Sequence, residues 1–285
     1  MEMSIKSESM FVLHLLINIL LLPISLILWI FGKKDFLKRH SPFKEIFNFL
    51  FSAKATSFLV LINILCFIFV VALSVYSPDF VSQLIRYPSD FLSVRAYSLI
   101  TSGFIHGDFM HLFWNMIFLF IFGRVVERKV GSRKLILIYF LALLISQVLD
   151  SIALMALGID TGSIGASGAI MGLVSAAILL DPFYFTHLLI IPVPIMVIGW
   201  ILIFDNLMNV GQIINSSVGY IAHLAGFISI GIIAGFLSGA DKARLKKGFL
   251  INIVVLLVAV FAFFLFKETI TSFLGRFVGV IWRSN

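Results

Sequence analysis

Ser167 and His223 are the residue types that acyl transfer needs: a hydroxyl to attack and an imidazole to take its proton. Ser167 stands in Gly165-Ala166-Ser167-Gly168, where an apolar run opens. At a helix N-terminus the first backbone N–H groups lack intrahelical partners and point toward developing negative charge. His223 lies inside a second apolar run, 218–239, and His106, His111 and Asn115 gather near the start of a third, 106–123. His111 and Asn115 are four apart, so they share a helix face and offer side-chain donors to an oxyanion.

Depth brings these groups together. Ser167 is 14 residues before Asp181, His111 is 13 before Arg124 and His223 is 18 before Asp241. At a rise of about 1.5 Å per residue they stand about 20–27 Å from the charged ends of their helices, within a hydrocarbon core about 30 Å thick. Three separately encoded polar groups at one level call for a shared, water-reachable cavity, since ionisable groups within spans are costly. Gly168, Gly172 and Ala176 recur every four residues and give a smooth face for close helix approach, expected to receive the helix of His223 and Gly226.

The elements that must hold these groups are membrane spans. Of 285 residues 61% are hydrophobic and 12% charged, against roughly 25% charged in soluble domains. Apolar segments are expected at 11–31, 57–76, 106–123, 135–156, 167–180, 188–204, 218–239 and 249–266, with a short amphipathic tail at 269–285. Residues 77–105 read as a loop lying partly in the interface. The connectors 32–56, 124–134 and 240–248 hold six, five and four of the 21 basic residues, which makes their side cytoplasmic and gives eight crossings, unless 11–31 lies in the interface instead. The net charge of +7 therefore answers to lipid headgroups and topology, not to nucleic acid. Cys66 is the single cysteine, so no disulfide or thiolate metal site is available, and no metal or cofactor is called for.

Each feature has a plainer reading. A GxSG in a membrane helix alone is more often packing than chemistry, and a lone histidine in a span also serves proton relays. His111 and Asn115 are equally able to bond neighbouring helices. His14 and Asn18 read as an interhelical or headgroup pair, and His40 and His187 as solvated connector residues. The plainer readings fail together, because coincidence would have to supply groups, depth and packing faces at once.

These residues resemble the rhomboid family of intramembrane serine proteases. His106-x4-His111-x3-Asn115-Met116 is similar to its second-helix motif, and Gly123-x3-Glu127-x3-Gly131 to its cytoplasmic turn. Gly165-x-Ser167-Gly168-x3-Gly172-Leu173 resembles the nucleophile motif, and Ala222-His223-x2-Gly226 the base motif. The resemblance covers about residues 57–239. It implies an all-α polytopic membrane protein with a six-helix core and one extra helix on each side. It also implies a Ser167–His223 dyad without an aspartate, and an oxyanion hole shared by the Ser167 N–H, His111 and Asn115. Gly165, Gly168, Gly226, His106 and Met171 would support the site. Met171 stands where many relatives carry an aromatic that stacks on the histidine, and Ile230 where the base helix usually has a second glycine.

The expected organisation is then 1–56, an apolar helix and basic connector; 57–239, the core; and 240–285, a connector, a last span and a tail. The flanking helices carry no group at the level of the site except His14 and Asn18, and are expected to be dispensable for chemistry. The activity implied is an endopeptidase acting on transmembrane segments of other proteins, in the cell membrane. The alternatives are a catalytically silent relative acting as a membrane-protein chaperone, and a His-relay transporter. The transporter reading leaves the GxSG helix start unexplained and finds no carboxylate at mid-membrane in the core.

Overall fold

The computed structural model describes residues 5–186, 192–212 and 218–283; His187 and the start of segment 188–204 lie outside them. Its helices are α1 (Ile5–Ile30), α2 (Lys34–Arg39), α3 (Pro42–Leu50), α4 (Lys54–Tyr76), α5 (Pro78–Leu84), α6 (Ser98–Thr101), α7 (Phe109–Val130), α8 (Ser132–Ala156), α9 (Ser167–Leu180), α10 (Ile195–Asn209), α11 (Tyr220–Ile233) and α12 (Gly239–Arg283). A two-residue antiparallel ribbon, Phe185–Thr186 with Val193–Pro194, precedes α10. Among the described residues, six helices are long and apolar enough to cross a membrane, in α1, α4, α7, α8, α10 and α12. The chain is all-α and polytopic.

The centre of the bundle is α9. It is apolar all round, the pattern of a helix without a solvent face, and all its residues but Ser167 and Leu179 are buried. It packs against α7, α8, α11 and α12. Both α9 and α11 have only 14 residues, about 21 Å of helix. That is shorter than a hydrocarbon core of about 30 Å. Its small-residue face differs from the expectation in one respect: Gly168 and Gly172 lie chiefly against Ser146 and Ala142 of α8. α11 shares that face, with Ser229 Oγ 3.1 Å from a Cβ at Gly172, and Gly226 meets the Gly168 carbonyl.

The connector expected at 124–134 is helical almost throughout. α7 runs on to Val130 and breaks only at Gly131, whose φ of 86° a side chain would resist. Glu127 secures this turn. Its carboxylate accepts from the Ala55 and Thr56 N–H groups, both at 2.9 Å, from Thr56 Oγ1 at 2.7 Å and from Ser132 Oγ at 2.6 Å. One side chain thus satisfies orphan donors at the start of α4 and ties the end of α7 to the start of α8. Nearby, Lys129 pairs with Asp181 at 2.8 Å, and Lys134 and Arg244 both pair with Asp241. The basic connectors therefore meet at one end of the bundle.

The first helix does not run alone across to the opposite end. Phe11 stacks on Phe49 of α3 with ring centroids 3.9 Å apart, and Asn18 meets His40 at 3.2 Å. Phe49 in turn lies under the Arg124 guanidinium, 3.7 Å from ring centroid to cation, at the basic end of α7. α1 and α2–α3 form a hairpin, with Phe11 at the connector end. His40 is half-buried, not solvated.

The last helix is built into the core. A Cβ at Gly248 would lie 2.6 Å from the Leu179 carbonyl carbon and 2.9 Å from its Cα, so the α12 and α9 backbones touch. Four residues after Ile178 comes Pro182, which has no N–H to close the helical hydrogen bond. Asn252 Nδ2 donates to the Ile178 carbonyl instead, at 2.8 Å, and Asn252 Oδ1 accepts from Trp200 Nε1 of α10 at 2.9 Å.

Candidate active site

The residues before Ser167 are fixed from the side of 77–105. That stretch, expected as a loop, holds α5, α6 and two short 3-10 turns. Ser163 N–H donates to the Arg86 carbonyl at 2.8 Å and Gly165 N–H to the Ser102 carbonyl at 2.9 Å. Gly165 takes φ = 113°, where a side chain is strained, and the chain then turns into α9. Ala166 at the N-cap offers no side-chain acceptor, so the opening N–H groups of α9 remain uncapped by a side chain.

His111 and Asn115 converge on this turn. Asp108 caps α7 by accepting from His111 N–H at 2.8 Å, which sets the rotation of the first turn. His111 Nδ1 accepts weakly from Gly107 N–H at 3.5 Å, placing the ring proton on Nε2. A Cβ at Gly165 would lie 2.7 Å from His111 Nε2 and 3.7 Å from Asn115 Nδ2, so both donors face the Gly165 backbone. Asn115 is 7% exposed, and its Nδ2 has no hydrogen-bond partner among the described residues. A buried donor without a partner costs about 1–3 kcal/mol. His106, also buried, sets its ring edge-on to His111 with centroids 5.1 Å apart.

The crossing of α9 and α11 brings the turn that carries His223 to the start of α9. A Cβ at Gly226 would lie 2.9 Å from Met171 Cβ and closer still to the Gly168 oxygen. Ile230, in place of a second glycine, is accommodated and buried. His223 is one turn before Gly226, at the level where Gly168 approaches the Ala222 carbonyl. Ser167 and His223 are both half-buried; among the described residues no hydrogen bond joins them. Unliganded sites often tighten such contacts only with substrate. Met171 lies against Gly226, the turn after His223.

Two further groups escaped the sequence reading. Asn206 of α10, 3% exposed, has Oδ1 2.8 Å from His223 Nδ1. Arg86 is fully buried: it pairs with Asp150 of α8 and donates to Ser151 Oγ at 2.6 Å. Burial pulls the Arg86 guanidinium below its usual pKa, and Asp150 opposes that fall. A carboxylate therefore does sit within a core span, at the outer part of α8, tied to an arginine. Polar residues within apolar runs were the signal for both, but neither has a motif around it. Among the described residues no cluster of His, Cys, Asp and Glu is arranged to hold a metal ion.

A bundle of long apolar helices of this kind is a multi-pass integral membrane protein. Residues 93–241, more than half the chain, match the Rhomboid domain, and the chain belongs to the rhomboid family. It is 33% identical over 174 residues to the mitochondrial RHOMBOID-like protein 12 of Arabidopsis thaliana, covering 56% of this chain and 49% of that one. It is 30% identical over 148 residues to the putative rhomboid protease YdcA of Bacillus subtilis, covering 52% and 70%. With the rhomboid protease GlpG of Haemophilus influenzae it shares 24% identity over 201 residues, 69% of this chain and 96% of that one. The chain thus spans about half the length of the Arabidopsis relative.

Proposed function

We propose that the chain is an intramembrane serine endopeptidase that cleaves transmembrane segments of membrane proteins. The observation that carries this is the convergence on the Gly165 turn. There the uncapped start of α9, His111 Nε2 and the unpartnered Asn115 Nδ2 face the same space beside Ser167. A neutral, preorganised set of donors is costly to a resting helix bundle and useful to a carbonyl oxygen that becomes an anion.

In the reaction, Ser167 Oγ attacks the scissile carbonyl carbon as its proton passes to His223 Nε2. The carbonyl oxygen, now negative, takes hydrogen bonds from the Ser167 N–H, His111 and Asn115. Collapse of the tetrahedral intermediate breaks the C–N bond, and the imidazolium gives its proton to the leaving amine. Water then repeats the sequence on the acyl-enzyme and restores Ser167. The recessed level of the serine favours substrates whose helix unwinds near its outer end. Neighbouring lipid and other membrane proteins are the expected partners, and the cell membrane the expected location; similar proteins of Arabidopsis thaliana include mitochondrial and chloroplastic ones, so fractionation decides among three membranes.

The test is labelling and cleavage. A fluorophosphonate should modify the wild-type protein at Ser167, and a transmembrane test substrate in proteoliposomes should be cut. Ser167→Ala should abolish both at unchanged thermal stability, and His223→Ala should lower cleavage by 10²–10⁴-fold. A silent chaperone or a transporter would show neither labelling nor cleavage in the wild type, which sinks the proposal.

A further inference from the structure

We propose that Asn206 is the positioning residue that fixes the tautomer and rotamer of His223, taking at a neutral amide the place that a carboxylate holds in a Ser-His-Asp triad. The inference deepens the reading of Ser167 and His223 as nucleophile and base.

The amide can be oriented from its own bonds. Asn206 Nδ2 donates to the Leu202 carbonyl, one turn back on α10, at 2.7 Å. Flipping the amide would set Oδ1 against that carbonyl, two acceptors face to face. The oxygen therefore points at His223 Nδ1, 2.8 Å away. An amide oxygen only accepts, so the proton sits on Nδ1. In a neutral imidazole this leaves the lone pair on Nε2, the nitrogen a base must present to Ser167. Without that contact, Nε2–H is the equally accessible tautomer, and it cannot accept a proton from serine.

Helix-to-helix adhesion is the bland account, and asparagines do bond across membrane helices. It predicts loss of stability on substitution, not a particular protonation pattern on the ring. An amide also suits its surroundings: Asn206 is 3% exposed on a helix in apolar surroundings, where an unpaired carboxylate would carry a large desolvation cost.

The test uses the full chain. With ¹⁵N-histidine labelling, the His223 signals, assigned by their loss in His223→Ala, should show a protonated Nδ1 and a bare Nε2. Asn206→Leu, close in volume, should give a mixture of tautomers, whereas Asn206→Asp, which keeps the acceptor, should retain the wild-type pattern. In cleavage assays Asn206→Leu should lower kcat about tenfold to a hundredfold at nearly constant KM, and Asn206→Asp should recover most of it. An Nε2-protonated His223 in the wild type, or a ring pattern unchanged by Asn206→Leu, overturns the inference, and the spectra decide this whether or not the protein cleaves. If Ser167 takes no fluorophosphonate while the tautomer behaves as stated, the protease reading falls and the Asn206–His223 assignment stands. Equal losses in the Leu and Asp variants with an unchanged ring pattern would reduce Asn206 to a packing residue.

Discussion

Replacing Gly226 by alanine should separate chemistry from stability. The added Cβ would fall 2.9 Å from Met171 Cβ and 3.1 Å from the Gly168 carbonyl carbon, with the carbonyl oxygen nearer than either. A carbon normally rests about 3.3 Å or more from such an oxygen, so α11 must withdraw from α9 by roughly 1 Å. Overpacking of this kind costs about 1–3 kcal/mol, and alanine returns up to about 1 kcal/mol in helix propensity. The net loss of stability is then about 0–2 kcal/mol. The rate responds more steeply. His223 is one turn away on the retreating helix, and a misplacement of about 1 Å costs on the order of 10²-fold. The assay is kcat on a fluorogenic transmembrane peptide in proteoliposomes, beside thermal unfolding in detergent. Gly231→Ala is the control, because nothing stands within 4 Å of a Cβ there. Wild-type kcat in Gly226→Ala, or an equal loss in Gly231→Ala, would refute the argument that backbone contact at this crossing sets the reacting distance.

Asn115→Ala should lower kcat by about 10²–10³-fold with little change in KM, since an oxyanion donor acts in the transition state; a raised KM at constant kcat would make it a substrate-binding or packing group. Arg86→Met should strand the buried Asp150 and destabilise by about 3–5 kcal/mol, most of it recovered by adding Asp150→Leu; thermal unfolding of the single and double variants reads this directly, and equal instability in both would deny the pairing. Asn252→Ala should cost about 1–3 kcal/mol by leaving the Ile178 carbonyl unsatisfied, with Ser167 labelling retained in the folded fraction. An unfolding temperature equal to wild type would show that water or another donor serves that carbonyl.

What was legible in the chain was whatever interrupts an apolar run in a recognisable spacing. Ser167, His223, His111 and Asn115 stood out because each is a polar group at depth in a long hydrophobic segment, and helix rise alone set them level. Asn206 and Asp150 interrupt apolar runs too, but reading them requires knowing which neighbour they meet, and tertiary partners 17 and 64 residues away leave no local trace. The hairpin of α1 was not legible, since the Phe11–Phe49 stack that closes it joins residues of two separate segments. The glycine face of α9 announced a close approach by the helix of His223 and Gly226, but gave no sign that α8 shares it. Ser146 and Ala142 of α8 are small enough to take it.

Pro182 gives the fold a history as well as a shape. The Ile178 carbonyl it leaves unbonded waits for Asn252, about 70 residues later in the chain. At a synthesis rate of about 5–20 residues per second, that interval is roughly 4–15 s. During it the inner end of the serine-bearing helix holds an unsatisfied carbonyl, which a hydrocarbon setting penalises by several kcal/mol. Insertion of α12 ends the wait, so the helix that presents Ser167 is seated at both ends only once Asn252 has followed it into the bundle. Biogenesis thus carries its own delay, written in one proline and one distant asparagine.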